Sequence, residues 1–460
     1  MKFLYRSQQF FLGLGDYLSF TVAFWFSLII RHLTLPTWPL IEQHLTLFSI
    51  TFLFWIIINY INGLYDIGTL DTSRSSYRRL IESSGAALVI SVIFFYLYPD
   101  QGIAPKTLLV LNVFLGYGIL AIWRFFFIRA IGGARLLTRI LFIGLTADAE
   151  KLIALMKENP TLGYQPVAII DPAAQKIENN SLQSYYDMKE LQEIIRNHKI
   201  DLAVIAPHLR DDREMLREIY ILLFSPVQIT NLVSFYEEMT GRIPPSTFSE
   251  GWFLDHLKAK KPVYDRLRGL IDYVIAIVIG IIFILVFPLI ALLIRLTSPG
   301  PIFIRQQRVG KDGKIFTLFK FRSMYALSAD GSAETTGAQF ASKNDRRVTP
   351  LGKILRKTRL DELPQAWNLF RLDITLIGPR PERPEFVREL EAQMPYYTLR
   401  HTVRPGLTGW AVIHQNYTNT LEQALKKLQY DLFYIKNRSF LLDLSILLKT
   451  VNVLVRGKGQ

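Results

Sequence analysis

Residues 270–294 read LIDYVIAIVIGIIFILVFPLIALLI, and the organisation of the whole chain turns on this stretch. At 1.5 Å of rise per residue, about 25 residues give roughly 37 Å of helix, enough to cross a bilayer core. A crossing helix would put everything after it on the far side of the membrane. The flanks argue otherwise. Lys258, Lys260, Lys261, Arg266 and Arg268 precede the stretch, and Arg295, Arg305, Arg308 and Lys311 follow it. Basic flanks mark the cytoplasmic side, so both ends belong there. Pro288 lies inside the stretch and interrupts helical hydrogen bonding. The expectation is a re-entrant membrane helix over 270–294. It enters, bends near Phe287–Pro288 and returns to the same face, its freed backbone groups covered by protein or headgroups.

Toward the N-terminus, four more apolar stretches run roughly over residues 10–30, 45–65, 80–98 and 107–128. Each is near the ~20 residues a bilayer core requires. The chain has 460 residues, too many for one ordinary domain, and half of them are apolar. The sequence therefore predicts an α-helical transmembrane bundle over residues 1–135. Asp16, Glu82 and Arg124 are the charges inside its helices. The two carboxylates lie near helix ends, where headgroups are within reach, so interfacial placement is expected for them. Lys2 and Arg6, then Arg74, Arg78 and Arg79, then Arg129, Arg135 and Arg139 mark one side as cytoplasmic. No cleavable signal peptide is expected.

Residues 136–240 change pattern. ILFIG, PVAIID, DLAVIAP and VQITNLV are short buried strands separated by helical runs, the alternation of a doubly wound α/β domain. The turn after the first strand, Gly144-Leu-Thr-Ala-Asp, lacks the further glycines that let a pyrophosphate approach the backbone, so a structural role is expected. Tyr185 and Lys189 stand too soon after that strand to be a dehydrogenase pair. Residues 241–262, with Gly241, Pro244, Pro245, Gly251 and Pro262, are expected as a linker.

After residue 294 come a hairpin with a Lys-Asp-Gly turn, crowded with Arg305, Arg308, Lys320 and Arg322, and a Ser/Ala/Gly-rich loop over 325–344 suited to covering a site. Then follows LGKILRKTRLDELPQAWNLFRLDITLIGPRP, residues 351–381. Its centre is Asp361-Glu362, with Arg356, Lys357 and Arg359 before the pair and Arg371 and Arg380 after it. Guanidinium groups grip phosphate oxygens, one carboxylate can hold a hard cation such as Mg²⁺, and the other can attack phosphorus. The pattern suits a polyphosphate ester. The formal charge of +14 agrees with a phosphorylated or lipid partner, and no nucleic-acid module is present. The absence of cysteine excludes disulfides, a thiol nucleophile and cysteine-based zinc sites. The final helix, residues 440–455, suits a membrane interface.

The SPGP turn, RVGKDGKIF, KFRSM, LRKTRLDELPQAWN, GPRP, VRPGLTGW and YDLFYIKN, in this order, resemble the bacterial sugar transferase family, the polyprenyl-phosphate glycosyl-1-phosphate transferases. The resemblance covers about residue 263 to the C-terminus. The front half resembles the large multi-span form, with a Rossmann-like, CoA-binding-like middle domain, and the tail resembles the exopolysaccharide, exosortase-associated branch. The resemblance implies an α-rich monotopic catalytic domain over 263–460. It would be a phosphotransferase that moves a sugar phosphate, glucose-1-phosphate or galactose-1-phosphate, from a UDP-sugar to undecaprenyl phosphate, releasing UMP.

The resemblance also implies that Asp361 is the nucleophile and Glu362 a Mg²⁺ ligand. Lys320, Arg322, Arg356, Arg380 and Arg404 would bind the phosphates and nucleotide sugar. The expected partners are the UDP-sugar, undecaprenyl phosphate, the lipid bilayer and a second copy of the chain as a homodimer, with no nucleic acid. The expected location is the bacterial inner membrane, catalytic face to the cytoplasm. The chain departs from the family pattern at GWAVIHQNY, where an Arg near Asn416 is missing, and at Phe287, where relatives carry Ser. Two rivals are a membrane-bound nucleotide-sugar dehydratase or epimerase, which would need a full glycine-rich loop, and a non-catalytic scaffold, which would have lost the carboxylate pair.

Overall fold

The structure is a computed structural model that describes residues 2–66, 74–97, 106–131, 137–172, 182–210, 213–257, 261–327, 345–415 and 420–455. It divides into two compact units, residues 1–239 and 240–460.

The first unit opens with four helices, α1 (Lys2–His32), α2 (Trp38–Ile61), α3 (Arg74–Leu97) and α4 (Lys106–Ile131). Each contains a stretch long and apolar enough to cross a membrane. Phe20, Phe24, Phe48, Phe52 and Trp55 form their packed centre. Close approach of α1 to α4 depends on Gly15, whose added Cβ would stand 2.1 Å from the Trp123 ring. Beside this contact Asp16 is fully buried, contrary to its expected interfacial placement. Arg124 Nη2 donates to its Oδ2 at 2.5 Å, and Tyr65 Oη donates to the same oxygen at 2.7 Å. Arg124 Nη1 also donates to the Leu64 carbonyl at 2.7 Å. Helix α1 begins at Lys2, so Asp16 lies near its middle rather than at an end, and a guanidinium on the neighbouring helix pairs with it there. Glu82 keeps to the exposed side, paired with Arg78 at 2.9 Å.

The α/β part is a parallel five-stranded sheet in the order β3-β2-β1-β4-β5, with β1 (Thr138–Ile143), β2 (Tyr164–Ile170), β3 (Gln183–Tyr185), β4 (Leu202–Ile205) and β5 (Gln228–Asn231). Helices α5 (Ala147–Glu158), α6 (Leu191–His198), α7 (Arg213–Tyr220) and α8 (Leu232–Thr240) complete it. Side chains of β1 alternate between two cores, Ile140 and Phe142 in one and Leu141 and Ile143 in the other, as a sheet covered on both faces requires.

In the second unit the described residues 241–257 of the expected linker are folded rather than free chain. They contain α9 (Glu250–His256), and Ile243 and Phe253 join a core with Leu428 and Leu432. Helix α10 (Pro262–Thr297) is one continuous helix of 36 residues with Pro288 inside it. Its buried residues, Tyr264, Arg268, Asp272, Ala276, Ile290 and Ile294, recur at helical spacing, while Leu270, Val274, Ile277, Ile281, Leu285 and Leu289 are exposed. The buried face packs along the unit over most of its length. Ala276 meets Leu318 and Leu369, and Ile290 and Ile294 meet Phe321 and Leu355.

The hairpin β6 (Phe303–Val309) and β7 (Ile315–Phe321) turns through Asp312 and Gly313, both at left-handed φ. Phe287, the departure from the family pattern, stacks on Phe303 with centroids 5.7 Å apart and lies 6.2 Å from Phe321, fixing α10 to both strands. Then come α11 (Pro350–Thr358), a short helix (Leu360–Gln365), α12 (Ala366–Phe370), β8 (Thr375–Ile377), α13 (Pro384–Gln393), β9 (Gly406–Thr408), α14 (Trp410–His414), α15 (Leu421–Asn437) and α16 (Phe440–Val455). Most of the loop expected over 325–344, and Asn416, lie outside the described residues.

The buried Asp16–Arg124 pair generates a test. Arg124→Gln leaves a buried carboxylate unpaired, and breaking such a pair costs about 3–5 kcal/mol. Thermal unfolding of the full chain in detergent should show large losses for Asp16→Asn and for Arg124→Gln, and a smaller loss for the double variant than their sum. Additive losses would show that the two side chains do not stabilise one another.

Candidate active site

Thr349 caps α11 by accepting a hydrogen bond from Gly352 N at 2.8 Å, and the helix stops at Arg359, whose φ of 58° is left-handed. That reversal turns the short helix inward, so that Asp361 and Glu362 are 7% and 9% exposed. Helix α11 lies flush against the segment after β7, since a Cβ on Gly352 would stand 1.9 Å from the Ser323 carbonyl oxygen. One turn on, Arg356 Nε donates to Ser323 Oγ at 2.8 Å.

Cations from separate parts of the unit converge on Glu362 Oε1. Lys320 Nζ of β7 donates at 3.2 Å, Arg359 Nη1 at 3.1 Å and Arg380 Nη2 at 2.9 Å. Burial alone would raise the Glu362 carboxyl, but Lys320, Arg380 and Arg359 outweigh it and hold the group well below the usual carboxylate range. Asp361 differs. Its Oδ1 is buried with no hydrogen-bond partner among the described residues. Burial first, and then the neighbouring Glu362 charge, push the Asp361 carboxyl up to about 6, against the pull of Lys320, Arg356 and Arg359. Adjacent carboxylates are thus set apart, one locked as an anion by its partners, the other poised and uncommitted.

The arm that brings Arg380 in is built on close backbone contact. Strand β8 pairs in parallel with β9, Thr375 with Gly406 and Ile377 with Thr408. A Cβ on Gly378 would stand 2.6 Å from the Arg404 carbonyl oxygen. Arg400, buried, donates to the Arg380 carbonyl at 2.9 Å while bound to Asp431 at 2.8 Å. Glu382 follows in the same loop. Burial would raise it, but Lys427, Arg400 and Arg308 draw it down to about 2. Sequence reasoning placed neither Glu382 nor the Arg400–Asp431 pair at the site, although GPRPE and YDLFY carry two of the three.

Of the residues expected at the site, Asp361, Glu362, Lys320, Arg356 and Arg380 come together. Arg322 does not. It donates to the carbonyls of Ser298, at 2.7 Å, and Pro299, closing the C-terminal end of α10. Strand β7 ends at Phe321, so Arg322 no longer shares the Lys320 face. Arg404 lines a different cavity with Lys311, Lys314 and Arg371.

No group of three or more His, Asp or Glu side chains that would enclose a metal occurs among the described residues. The pair fits a cation that takes most of its ligands from substrate phosphates and water, as Mg²⁺ does. The bonds from Lys320, Arg359 and Arg380 all fall on Oε1 of Glu362, and its second oxygen, outside those bonds, is the observation behind that fit.

Residues 263–457 match the family model described as bacterial sugar transferase, and residues 60–232 match one described as CoA-binding domain. The chain is similar to UDP-N-acetylgalactosamine-undecaprenyl-phosphate N-acetylgalactosaminephosphotransferase of Aeromonas hydrophila, 37% identical over 56% of this chain and 60% of that protein. It is also similar to UDP-glucose:undecaprenyl-phosphate glucose-1-phosphate transferase of Klebsiella pneumoniae, 33% identical over 71% of this chain and 69% of that one. A shorter relative, exopolysaccharide production protein PSS of Rhizobium leguminosarum bv. phaseoli, is 39% identical over 37% of this chain and 86% of its own length.

The residues of the α/β part do not fit a CoA pyrophosphate. At the end of β1, a Cβ on Gly144 would stand 2.8 Å from Ala206 and 2.9 Å from Leu209, so the loop after β4 packs over the turn. Leu145 N, a backbone donor of that turn, is taken by Asp171 Oδ2 at 2.8 Å. Asp148 and Glu150 in the first turn of α5 would repel an anion.

The placement of Arg322 predicts a structural effect. Arg322→Ala leaves buried carbonyls unsatisfied at about 1–3 kcal/mol. It should lower the thermal midpoint of the full chain without changing the affinity for UDP measured by calorimetry. Weaker UDP binding at an unchanged midpoint would return Arg322 to the site.

Proposed function

The chain belongs to the bacterial sugar transferase family, and from that premise we propose that it transfers a sugar-1-phosphate from a UDP-sugar to undecaprenyl phosphate. The products are UMP and undecaprenyl-diphosphate-sugar, in the first membrane step of exopolysaccharide synthesis. The observation that carries the reading is the uncommitted, buried Asp361 oxygen beside a carboxylate held by Lys320, Arg359 and Arg380.

The chemistry has two steps. Asp361 attacks the sugar-bearing phosphorus, a P–O bond forms to the carboxylate, and the bond to UMP breaks. The phosphate oxygen of the lipid then attacks the same phosphorus, and the carboxylate leaves. Lys320, Arg359 and Arg380, gathered on Glu362 in the free enzyme, are the donors that take the diphosphate oxygens. Arg356, near Asp361, bears on the same phosphate. Mg²⁺, held by Glu362 with the substrate's oxygens, would supply further neutralisation of the leaving UMP.

Enzyme given UDP-sugar labelled in the sugar phosphate, without lipid, should carry label that hydroxylamine releases, and Asp361→Asn should carry none. Attack needs the ionised carboxylate, whose folded-state value of about 6 lies above its ordinary range. The rate of labelling should therefore be full above pH 7 and fall about tenfold per unit below pH 6. Glu362→Gln removes one of the two raising influences and should move that limb to lower pH. Substantial turnover by Asp361→Asn would leave direct displacement by the lipid instead. Membranes that release no UMP from UDP-glucose, UDP-galactose or UDP-N-acetylgalactosamine with undecaprenyl phosphate would end the transferase reading.

The protein resides in the bacterial inner membrane with its catalytic face to the cytoplasm, and both ends of α10, which runs unbroken through Pro288, lie on that face. Support comes from α10 itself. One face packs on the polar unit from Arg268 to Ile294, and a helix crossing alone would have to carry that unit into the hydrocarbon. Cysteine at Lys311 should be shielded from an impermeant thiol reagent outside intact cells. Labelling there would mean that α10 spans.

A further inference from the structure

Two clusters of basic residues stand out in the second unit. One surrounds Glu362. The other lines a cavity of about 490 Å³ between the β6–β7 hairpin and the turn after α12, where Lys311, Lys314, Arg371 and Arg404 face a single lining carboxylate, Asp373. That carboxylate is engaged, by Arg371 at 3.4 Å and by Asn368 Nδ2 at 3.1 Å. Asp272 of α10, within electrostatic reach of Arg404, accepts from Leu376 N at 3.0 Å. Lys311, Lys314 and Arg404 make no salt bridge among the described residues, and all three are exposed. A cavity with this excess of positive charge suits an anion.

Its surroundings indicate where the anion comes from. Immediately before Arg371, Trp367 and Phe370 are 55% and 50% exposed. Their rings stack at 6.2 Å, and Phe370 meets Tyr273 of α10 edge to face at 5.9 Å. The aromatic pair therefore continues the exposed apolar face of α10, with Val274, Ile277 and Val278 next along it. Exposed aromatic rings joined to apolar surface on one side and to free cations on the other are the composition of a membrane boundary, at the depth of headgroup phosphates. A water-soluble anion would draw no benefit from the apolar side.

We propose that this cavity binds the anionic phosphate of a membrane lipid, held by Lys311, Lys314, Arg371 and Arg404, with Trp367 and Phe370 against its acyl portion. It is a site separate from the Asp361–Glu362 pair. The proposal rests on the membrane placement of α10 and not on the covalent step. Its test needs no turnover, so failure of one leaves the other standing.

Full-length protein is reconstituted in phosphatidylcholine nanodiscs doped with phosphatidylglycerol or with undecaprenyl phosphate, and lipid retained after release into detergent is counted by native mass spectrometry. The wild type should retain one anionic lipid over phosphatidylcholine. Lys314→Gln with Arg404→Gln should reduce that retention by about fivefold for each cation removed. Trp367→Ser with Phe370→Ser should reduce it by a second route that leaves every charge in place, and circular dichroism confirms that each variant is folded. Preference for undecaprenyl phosphate would identify the occupant as the acceptor, and preference for phosphatidylglycerol as a bulk phospholipid; either supports the proposal. Equal retention by wild type and Lys314→Gln/Arg404→Gln overturns it. So does displacement of the lipid by UMP at concentrations where inorganic phosphate has no effect, which would make the cavity a nucleotide site.

Discussion

A carboxylate buried in protein is costly unless opposite charges and hydrogen bonds compensate it, and Glu362 receives three such partners on one oxygen. Most of the second unit serves that convergence. Lys320 stands beside Phe321, whose ring ties β7 to α10 through Phe287. Arg359 is held inward by a left-handed backbone, and Arg380 by the glycine contact between β8 and the loop into β9. The membrane helix and the reactive pair are thus linked by neighbouring residues on one strand. Without the cations, Glu362 would neutralise, and the field that keeps Asp361 distinct from it would vanish.

Legibility in the sequence followed the length over which a pattern repeats. Four apolar helices and the strands β1, β2, β4 and β5 announce themselves as runs. The three-residue edge strand β3 does not, being too short for period two to register. Motif order pointed to Asp361, Glu362, Lys320, Arg356 and Arg380, which the fold brings together. It pointed equally to Arg322, which the fold places apart because β7 ends between it and Lys320. Arg359 was legible as part of the basic flank, but its conformation was not. A helix commonly ends in a left-handed glycine, and nothing in TRLDE signals that an arginine takes that conformation here. Asp16 was misplaced because α1 extends back to Lys2, well before the apolar stretch, and because the stretch says nothing about a partner on another helix.

The α/β part shows a fold kept while its usual opening is packed shut. Its strand order reverses between β1 and β4, the place where doubly wound sheets bind ligands. There Leu209 and Ala206 crowd Gly144, and Asp171, the acid at the end of β2, hydrogen-bonds the turn after β1. Gly144 is retained for its φ of 85° and for lack of room, both of which are packing requirements. A single glycine in such a turn is therefore weak evidence of a ligand, as the missing second and third glycines suggested.

The sequence could not divide the arginines and lysines by task, because the same motifs supply them all. Only their placement separates Lys320, Arg359 and Arg380, each bonded to a carboxylate that a substrate's phosphate could replace, from Lys311, Lys314 and Arg404, which make no such bond among the described residues. The first set is compensated within the protein, so an anion would have to replace those bonds, which demands a ligand able to take all three positions. The second set is solvated and needs no exchange, so weaker and more varied anions suffice. A reaction joining a soluble diphosphate to a lipid phosphate calls for both kinds of binding: strict where a bond is broken, and permissive where a lipid has only to be held at the surface it already occupies.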